Sequence, residues 1–180
     1  LKNAKVGILG SGPIGISVLL SSLHFVAKKV YMTDKIDERL SLASEMGARW
    51  TGNPDKEDIV KEILGRETQH IDVVFECCGH QEAVDQAIHL LKPGGKLVII
   101  GIPIFSKWGF DVDDLSRKEI CVQNVRRQNM ALESTLKLIS DSGIKPDKMQ
   151  THIFKFKQIK EAFETVARYK DGVMKAMIHF

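Results

Sequence analysis

Gly10-Ser11-Gly12-Pro13-Ile14-Gly15 places three glycines in a Gly-x-Gly-x-x-Gly pattern, and Asp34 follows 19 residues after the last of them. Each glycine of such a pattern has its own task. Gly10 allows a tight turn out of a strand, and Gly12 leaves room for backbone to approach a ligand. Gly15 lets a helix lie close to a sheet. Pro13 and Ile14 would open that helix, whose free amides and positive dipole end suit a diphosphate. Glycine is 14 of 180 residues, so the pattern alone is weak and its surroundings decide. They agree with dinucleotide binding: a strand-like run precedes, proline stands at the first helical position, and an acid ends the next strand. The Asp34 carboxylate can accept hydrogen bonds from ribose hydroxyls. A 2′-phosphate there would meet like charge at a cost of on the order of several kcal/mol, so NAD is expected over NADP. Lys35 and Arg39 could each reach a phosphate. Lys35 reads as a solvated charge and Arg39 as a ribose or adenine contact.

Strand and helix patterns alternate around these residues. Strands are expected at residues 5–10, 29–34, 48–51, 71–76 and 96–101. Helices are expected at 13–26, 37–46 and 81–91, and a further one opens at Asn53-Pro54 and stops at Gly65. Asp37 is the expected N-cap of the second helix and Gly47 its stop. Asp55, Glu57 and Asp58 fall in the expected first turn of the third helix, where acids suit the dipole. Pro93-Gly94-Gly95 is expected to turn the chain into the fifth strand. Strands this apolar on both faces belong in a parallel sheet covered by helices. The implied fold class is α/β, a single domain with a doubly wound, mostly parallel sheet. Beyond Gly101 the rhythm changes. Strands are expected at 109–112, 119–126, 151–156 and 174–180, and helices at 132–140 and 159–169.

Composition narrows the classes. The chain has 43% hydrophobic and 27% charged residues and a net charge of +3 from 26 basic and 23 acidic side chains. That balance gives no footprint for nucleic acid or an anionic membrane. The longest apolar run, residues 97–105, is too short for a span, which needs roughly 18 residues. Cys77, Cys78 and Cys121 cannot build a disulfide framework, so a reducing, cytoplasmic setting is expected. The chain begins at Leu1 and a strand starts by about Ala4, which suggests an excised piece of a longer protein.

The phosphate-loop sequence is joined by further motifs: Thr33-Asp34, Arg39-Leu40, Met46-Gly47-Ala48, Asp72-Val73-Val74-Phe75-Glu76-Cys77-Cys78-Gly79 and Leu91-Lys92-Pro93-Gly94-Gly95-Lys96. The tail adds Thr151-His152-Ile153-Phe154, Ile159-Lys160-Glu161-Ala162-Phe163 and Lys175-Ala176-Met177-Ile178. Together they resemble the zinc-dependent medium-chain alcohol/polyol dehydrogenases, closest to the sorbitol and threonine dehydrogenase branch. All 180 residues take part, matching the second half of a family chain. The resemblance implies a Rossmann domain over residues 1–150 that binds NAD. It also implies a tail, residues 151–180, that returns to an N-terminal zinc-bearing domain lying outside this chain. Ile14 would meet the pyrophosphate. Cys78, Ile100, Gly101, Ile102, Val125 and Arg126 would join the cofactor contacts on the nicotinamide side. Arg126 and its neighbour would face a small alcohol or polyol substrate. That neighbour is usually tyrosine and here is Arg127, so the stretch Arg126-Arg127-Gln128-Asn129 departs from the sorbitol pattern. Two cations would suit a carboxylate or phosphate on the substrate. Alternation along a strand would instead turn one of them to the surface.

Family members oxidise an alcohol held on zinc and pass a hydride to the nicotinamide. Their zinc ligands lie in the first half. This chain has no C-x-x-C or H-E-x-x-H spacing, so no metal ligand and no catalytic residue is assigned within it. Cys77 and Cys78 read as small residues at a strand end. The chain is therefore expected to bind NAD without turning over alcohol, with zinc supplied from outside it. The resemblance also implies a homo-oligomer, a dimer or tetramer, in which an edge strand of this sheet pairs across a two-fold axis; residues 109–112 are the candidate for that strand. Two other classes stay open. A non-catalytic NAD-sensing module would also lack zinc ligands. A methyltransferase would use a glycine loop and an acid, though usually without a glycine at the place of Gly15.

Overall fold

The computed structural model describes residues 1–127, 129–142 and 144–180. Its sheet is built from β1 (Lys5–Leu9), β2 (Lys29–Thr33), β3 (Trp50–Gly52), β4 (Ile71–Glu76), β5 (Leu91–Ile99) and β6 (Cys121–Asn124). Their order is β3-β2-β1-β4-β5-β6, and every pairing is parallel. That is the doubly wound order, with the crevice at the switch between β1 and β4. The connecting helices are α1 (Pro13–His24), α2 (Asp37–Glu45), α3 (Ile59–Arg66), α4 (Gln81–Leu90) and α5 (Val112–Lys118).

Period-two alternation distributes the strand side chains between two cores. Val6, Ile8, Val30 and Met32 pack with Ile16 and Leu19 of α1 and Ala43 of α2. Leu9 and Tyr31 turn the other way, toward Ile59 and Ile63 of α3 and Val84, Ala87 and Ile88 of α4. Each of these is essentially excluded from water, and truncating one to alanine would cost about 2–5 kcal/mol for the larger aliphatics.

After β6 come α6 (Leu132–Ser142), a 3-10 turn at Pro146–Met149, β7 (Gln150–Lys155), α7 (Ile159–Ala167) and β8 (Lys175–His179). β7 and β8 form a separate parallel pair. This tail docks on the main body through Met174, which joins the α1–α2 core, and through the Arg39 guanidinium, which donates to the Val173 carbonyl at 2.9 Å. The outer tail residues Ile153, Phe156, Phe163 and Phe180 stay exposed.

Several boundaries differ from the sequence expectation, each for a local reason. The first helix stops at His24, because Val26 adopts a left-handed φ of 58°. The N-cap of α2 is Ile36, with Asp37 already helical; the Asp37 carboxylate instead takes Asn53 and Lys56. Asn53-Pro54 opens a turn and not a helix. The α3 helix starts at Ile59, capped by the Asp58 side chain on the Lys61 amide at 3.1 Å. Gly65 lies within α3, which runs on to Arg66. Pro93-Gly94-Gly95 sits inside β5, where the pairing with β4 shifts register between Ile71 and Val73. Residues 109–112 form no strand. Asp111 caps α5 by accepting from the amides of Asp113 and Asp114 at 2.9 and 3.1 Å, and a capped helix start removes those residues from any sheet edge. Glu119 closes that helix in a left-handed turn, so β6 begins only at Cys121 and ends at Asn124.

Candidate functional site

The residues singled out by type and spacing gather at the carboxyl ends of the strands. β1 is followed directly by Gly10, whose φ of 105° is a left-handed conformation that glycine adopts without strain. A Cβ there would also press on Cys78 at 3.1 Å. Gly12 is the N-cap of α1 and Pro13 its first residue, and no side chain caps this helix end. The first-turn amides therefore face the crevice uncapped. Gly15 is buried, and a Cβ on it would overlap the Gly10 carbonyl oxygen. Around Gly12, by contrast, the space is open. A Cβ there would meet only Arg39 Nη1, at 3.6 Å. Ile14 is half exposed at the rim.

Asp34 follows β2 directly. One carboxylate oxygen accepts from the Ser11 amide at 2.7 Å and the other from the Ile36 amide at 2.9 Å. The acid is thus bonded to the glycine loop itself, which fixes the distance between loop and carboxylate. Ser11 is fully buried, and its hydroxyl donates to the Thr33 carbonyl at 3.2 Å. The Lys35 ammonium pairs with Asp55, at 2.8 Å. Arg39 bridges the loop and the tail: its guanidinium lies 5.0 Å over the Tyr169 ring as well as on Val173, while its Nε is buried without a partner among the described residues.

The other wall is organised by Glu76, a residue that the sequence singles out only as part of a motif. It is completely buried at the end of β4. Its Oε1 accepts from the amides of Cys78 and Gly79 at 2.8 and 2.6 Å and from the Cys78 thiol at 3.1 Å. Its carbonyl accepts from the amides of Ile100 and Gly101 at 2.9 and 3.0 Å. Glu76 thus holds both turns that carry Cys78, Ile100, Gly101 and Ile102, and its Oε2 has no partner among the described residues. A charged residue at the end of an apolar strand was the available signal. Cys78 is exposed as a residue, but its sulfur faces the buried Glu76. Burial, and then the Glu76 carboxylate, push this thiol up to about 12. Ile102 is exposed at the mouth.

Val125 stays beside the sheet end, its amide donating to the Ile99 carbonyl at 2.9 Å. Arg126 and Arg127 lie past the end of β6, both exposed, with Arg127 at a left-handed φ of 45°. Strand alternation therefore does not decide which of them faces the crevice, and neither forms an ion pair among the described residues. Gln128, of the same stretch, lies outside the described residues. No group of three or more His, Cys, Asp or Glu side chains among the described residues could hold a metal ion. No helix among them is long and apolar enough to cross a membrane.

Parallel order, glycine turn and terminal acid define a Rossmann fold with an open crevice at its switch point. A model of the zinc-binding dehydrogenase family matches residues 13–141, and the chain belongs to that family. It is 31% identical to a zinc-type alcohol dehydrogenase-like protein of Escherichia coli strain K12, over 97% of this chain and 50% of that one. It is 28% identical to sorbitol dehydrogenase of Ovis aries, over 89% of this chain and 46% of that one. The solved structure of 2R,3R-butanediol dehydrogenase from Bacillus subtilis superposes with a TM-score of 0.89 at 27% identity, covering all of this chain and 52% of that one. The chain spans about half the length of the curated relatives it matches. The family resemblance carried by the sequence motifs is borne out.

Proposed function

We propose that this chain is the NAD-binding part of a dehydrogenase that oxidises a secondary alcohol or polyol. Bound NAD would supply the hydride acceptor. The observation that carries this assignment is the bond from the Ser11 amide to the Asp34 carboxylate, which places an acid beside an uncapped helix start. The residues present fit such a dinucleotide: a Cβ on Gly12 would intrude into an otherwise open cradle. Gly10, Gly12, Pro13, Ile14 and Gly15 would receive the diphosphate, and Asp34 the adenosine ribose, with Arg39 beside it. Cys78, Ile100, Gly101, Ile102 and Val125 would form the nicotinamide wall. Arg126 would approach the same ring, and Arg126 and Arg127 would meet an anionic group on the substrate.

Zinc does not fit this chain's described residues, so no step is derived through it; its ligands would come from a domain against which residues 151–180 pack. The exposed Ile153, Phe156 and Phe163 support that role for the tail. A homodimer belongs to the same proposal. With residues 109–112 outside the sheet, β6 is the edge strand left for pairing beside β5. Free Cys77, Cys78 and Cys121 suit a cytoplasmic setting. Calorimetric titration with NADH, and separately with S-adenosylmethionine, tests the assignment. Saturable heat from NADH alone is expected; heat from S-adenosylmethionine alone, or from neither at millimolar concentration, would refute it.

A further inference from the structure

The loop that follows β2 is gripped by the loop that follows β3. Asn53, buried between them, donates from Nδ2 to the Lys35 carbonyl at 3.1 Å and to the Asp37 carboxylate at 2.9 Å. Its Oδ1 accepts from the Asp55 amide at 3.0 Å, which fixes where the Asp55 side chain starts. The Asp34 amide donates to the Gly52 carbonyl at 3.2 Å, and Lys56 pairs with Asp37. Within this frame the Lys35 ammonium lies 2.8 Å from Asp55 Oδ1.

Lys35 adjoins Asp34, the acid placed against the adenosine ribose. A 2′-phosphate on that ribose would seek a cation, and two lie on this segment. Arg39 is committed to Val173 and to the Tyr169 ring. Lys35, held only by the exposed Asp55 pair, is therefore the candidate, since its long stem can redirect a point charge once that pair is broken. We propose that Asp55 sets the choice between NAD and NADP by holding Lys35 away from the 2′ position. Asp34 then acts there with its charge uncompensated. Asp55 is a positioning residue in this account, acting through Lys35 and touching no cofactor atom. It lies 21 residues beyond Asp34 and outside the glycine motif. The pair is exposed on both sides, so its influence is a modulation of the preference set by Asp34.

This inference rests on the nucleotide assignment above. Its test is the ratio of NADPH to NADH dissociation constants for the unaltered chain, Asp55→Asn, Asp55→Glu, Lys35→Ala and the double variant Lys35→Ala/Asp55→Asn, at low and high salt. In Asp55→Asn the released ammonium strengthens NADPH relative to NADH by about three- to fivefold, the scale of one exposed ion contact. That gain fades at high ionic strength. Asp55→Glu restores the original ratio, and the double variant loses the gain. A purely structural role for Asp55 would shift both constants together and leave the ratio unmoved, which would overturn the proposal while leaving NADH binding in place. A gain that survives in the double variant would also overturn it. Failure of the unaltered chain to bind either nucleotide would remove the nucleotide assignment itself, and this inference with it.

Discussion

Replacing Gly12 with alanine separates the needs of the ligand from those of the fold. Gly12 has φ −69° and ψ −175°, extended backbone that any residue adopts, and the added methyl meets only Arg39 Nη1, at the ordinary distance of 3.6 Å. Alanine caps a helix less well than glycine, by up to about 1 kcal/mol. It also restricts the unfolded chain, a gain of about 0.4–1 kcal/mol. The two nearly cancel, so Gly12→Ala melts within about 3 °C of the unaltered protein. The methyl nevertheless takes up part of the open space at the start of α1, where the nucleotide assignment puts the diphosphate. A phosphate forced back from the α1 amides loses at least one charge-assisted hydrogen bond, about 1.5–3 kcal/mol. NADH affinity then falls by about ten- to a hundredfold. Gly15→Ala gives the opposite pattern. Its methyl overlaps the Gly10 carbonyl, α1 must move, and overpacking of this kind costs about 1–3 kcal/mol, several degrees of melting temperature. Thermal melts and calorimetric NADH titrations on both variants decide the matter. Unchanged NADH affinity in Gly12→Ala, or an unchanged melt in Gly15→Ala, would refute the reasoning.

Three further outcomes are expected. Burial opposes ionisation of Glu67, but bonds from Lys29, Tyr31 and Lys5 overcome it and hold the carboxyl near about 2, against 4.5 for the free group. Its folded value is depressed, so its stabilisation is complete above about pH 4.5 and lost as pH falls toward 2. Urea melts across that window should lose on the order of 2 kcal/mol that Glu67→Gln never had, and equal pH slopes in the two proteins would contradict this. The Cys78 thiol, raised to about 12, stays protonated at pH 8; an Ellman titration of the folded protein should leave it unmodified while the exposed Cys121 reacts. Glu76→Ala strands the amides of Cys78 and Gly79, and urea denaturation should show a loss of about 2 kcal/mol or more; a change below about 0.5 kcal/mol would count against the hub.

What the sequence made readable is what local chemistry dictates. The glycine turn, Pro13 at a helix start and the acid closing β2 each follow from residue type within one βαβ unit. The apolar strands of the parallel sheet were equally plain. Misreadings arose where a side chain served a distant partner. Asn53-Pro54 with nearby acids looks like a helix start, and Asn53 Oδ1 does accept from the Asp55 amide as a cap would, but the turn it opens is not continued and α3 begins only after Asp58. Residues 109–112 carry apolar alternation, but Asp111 commits the segment to a helix cap. Glu76 gave only the oddity of an acid in an apolar strand; its bonds to two turns exist only once β4 and β5 lie side by side.

The central claim is that a dinucleotide lies across the carboxyl ends of β1, β2, β4 and β5. Amide NMR of the chain titrated with NADH tests it residue by residue. The largest shifts are expected at Gly12, Ile14, Gly15, Asp34 and Gly101, with Lys29, Glu67 and Asp72 at the opposite end of the sheet undisturbed. Shifts concentrated at that opposite end, or none at saturating NADH, would contradict it.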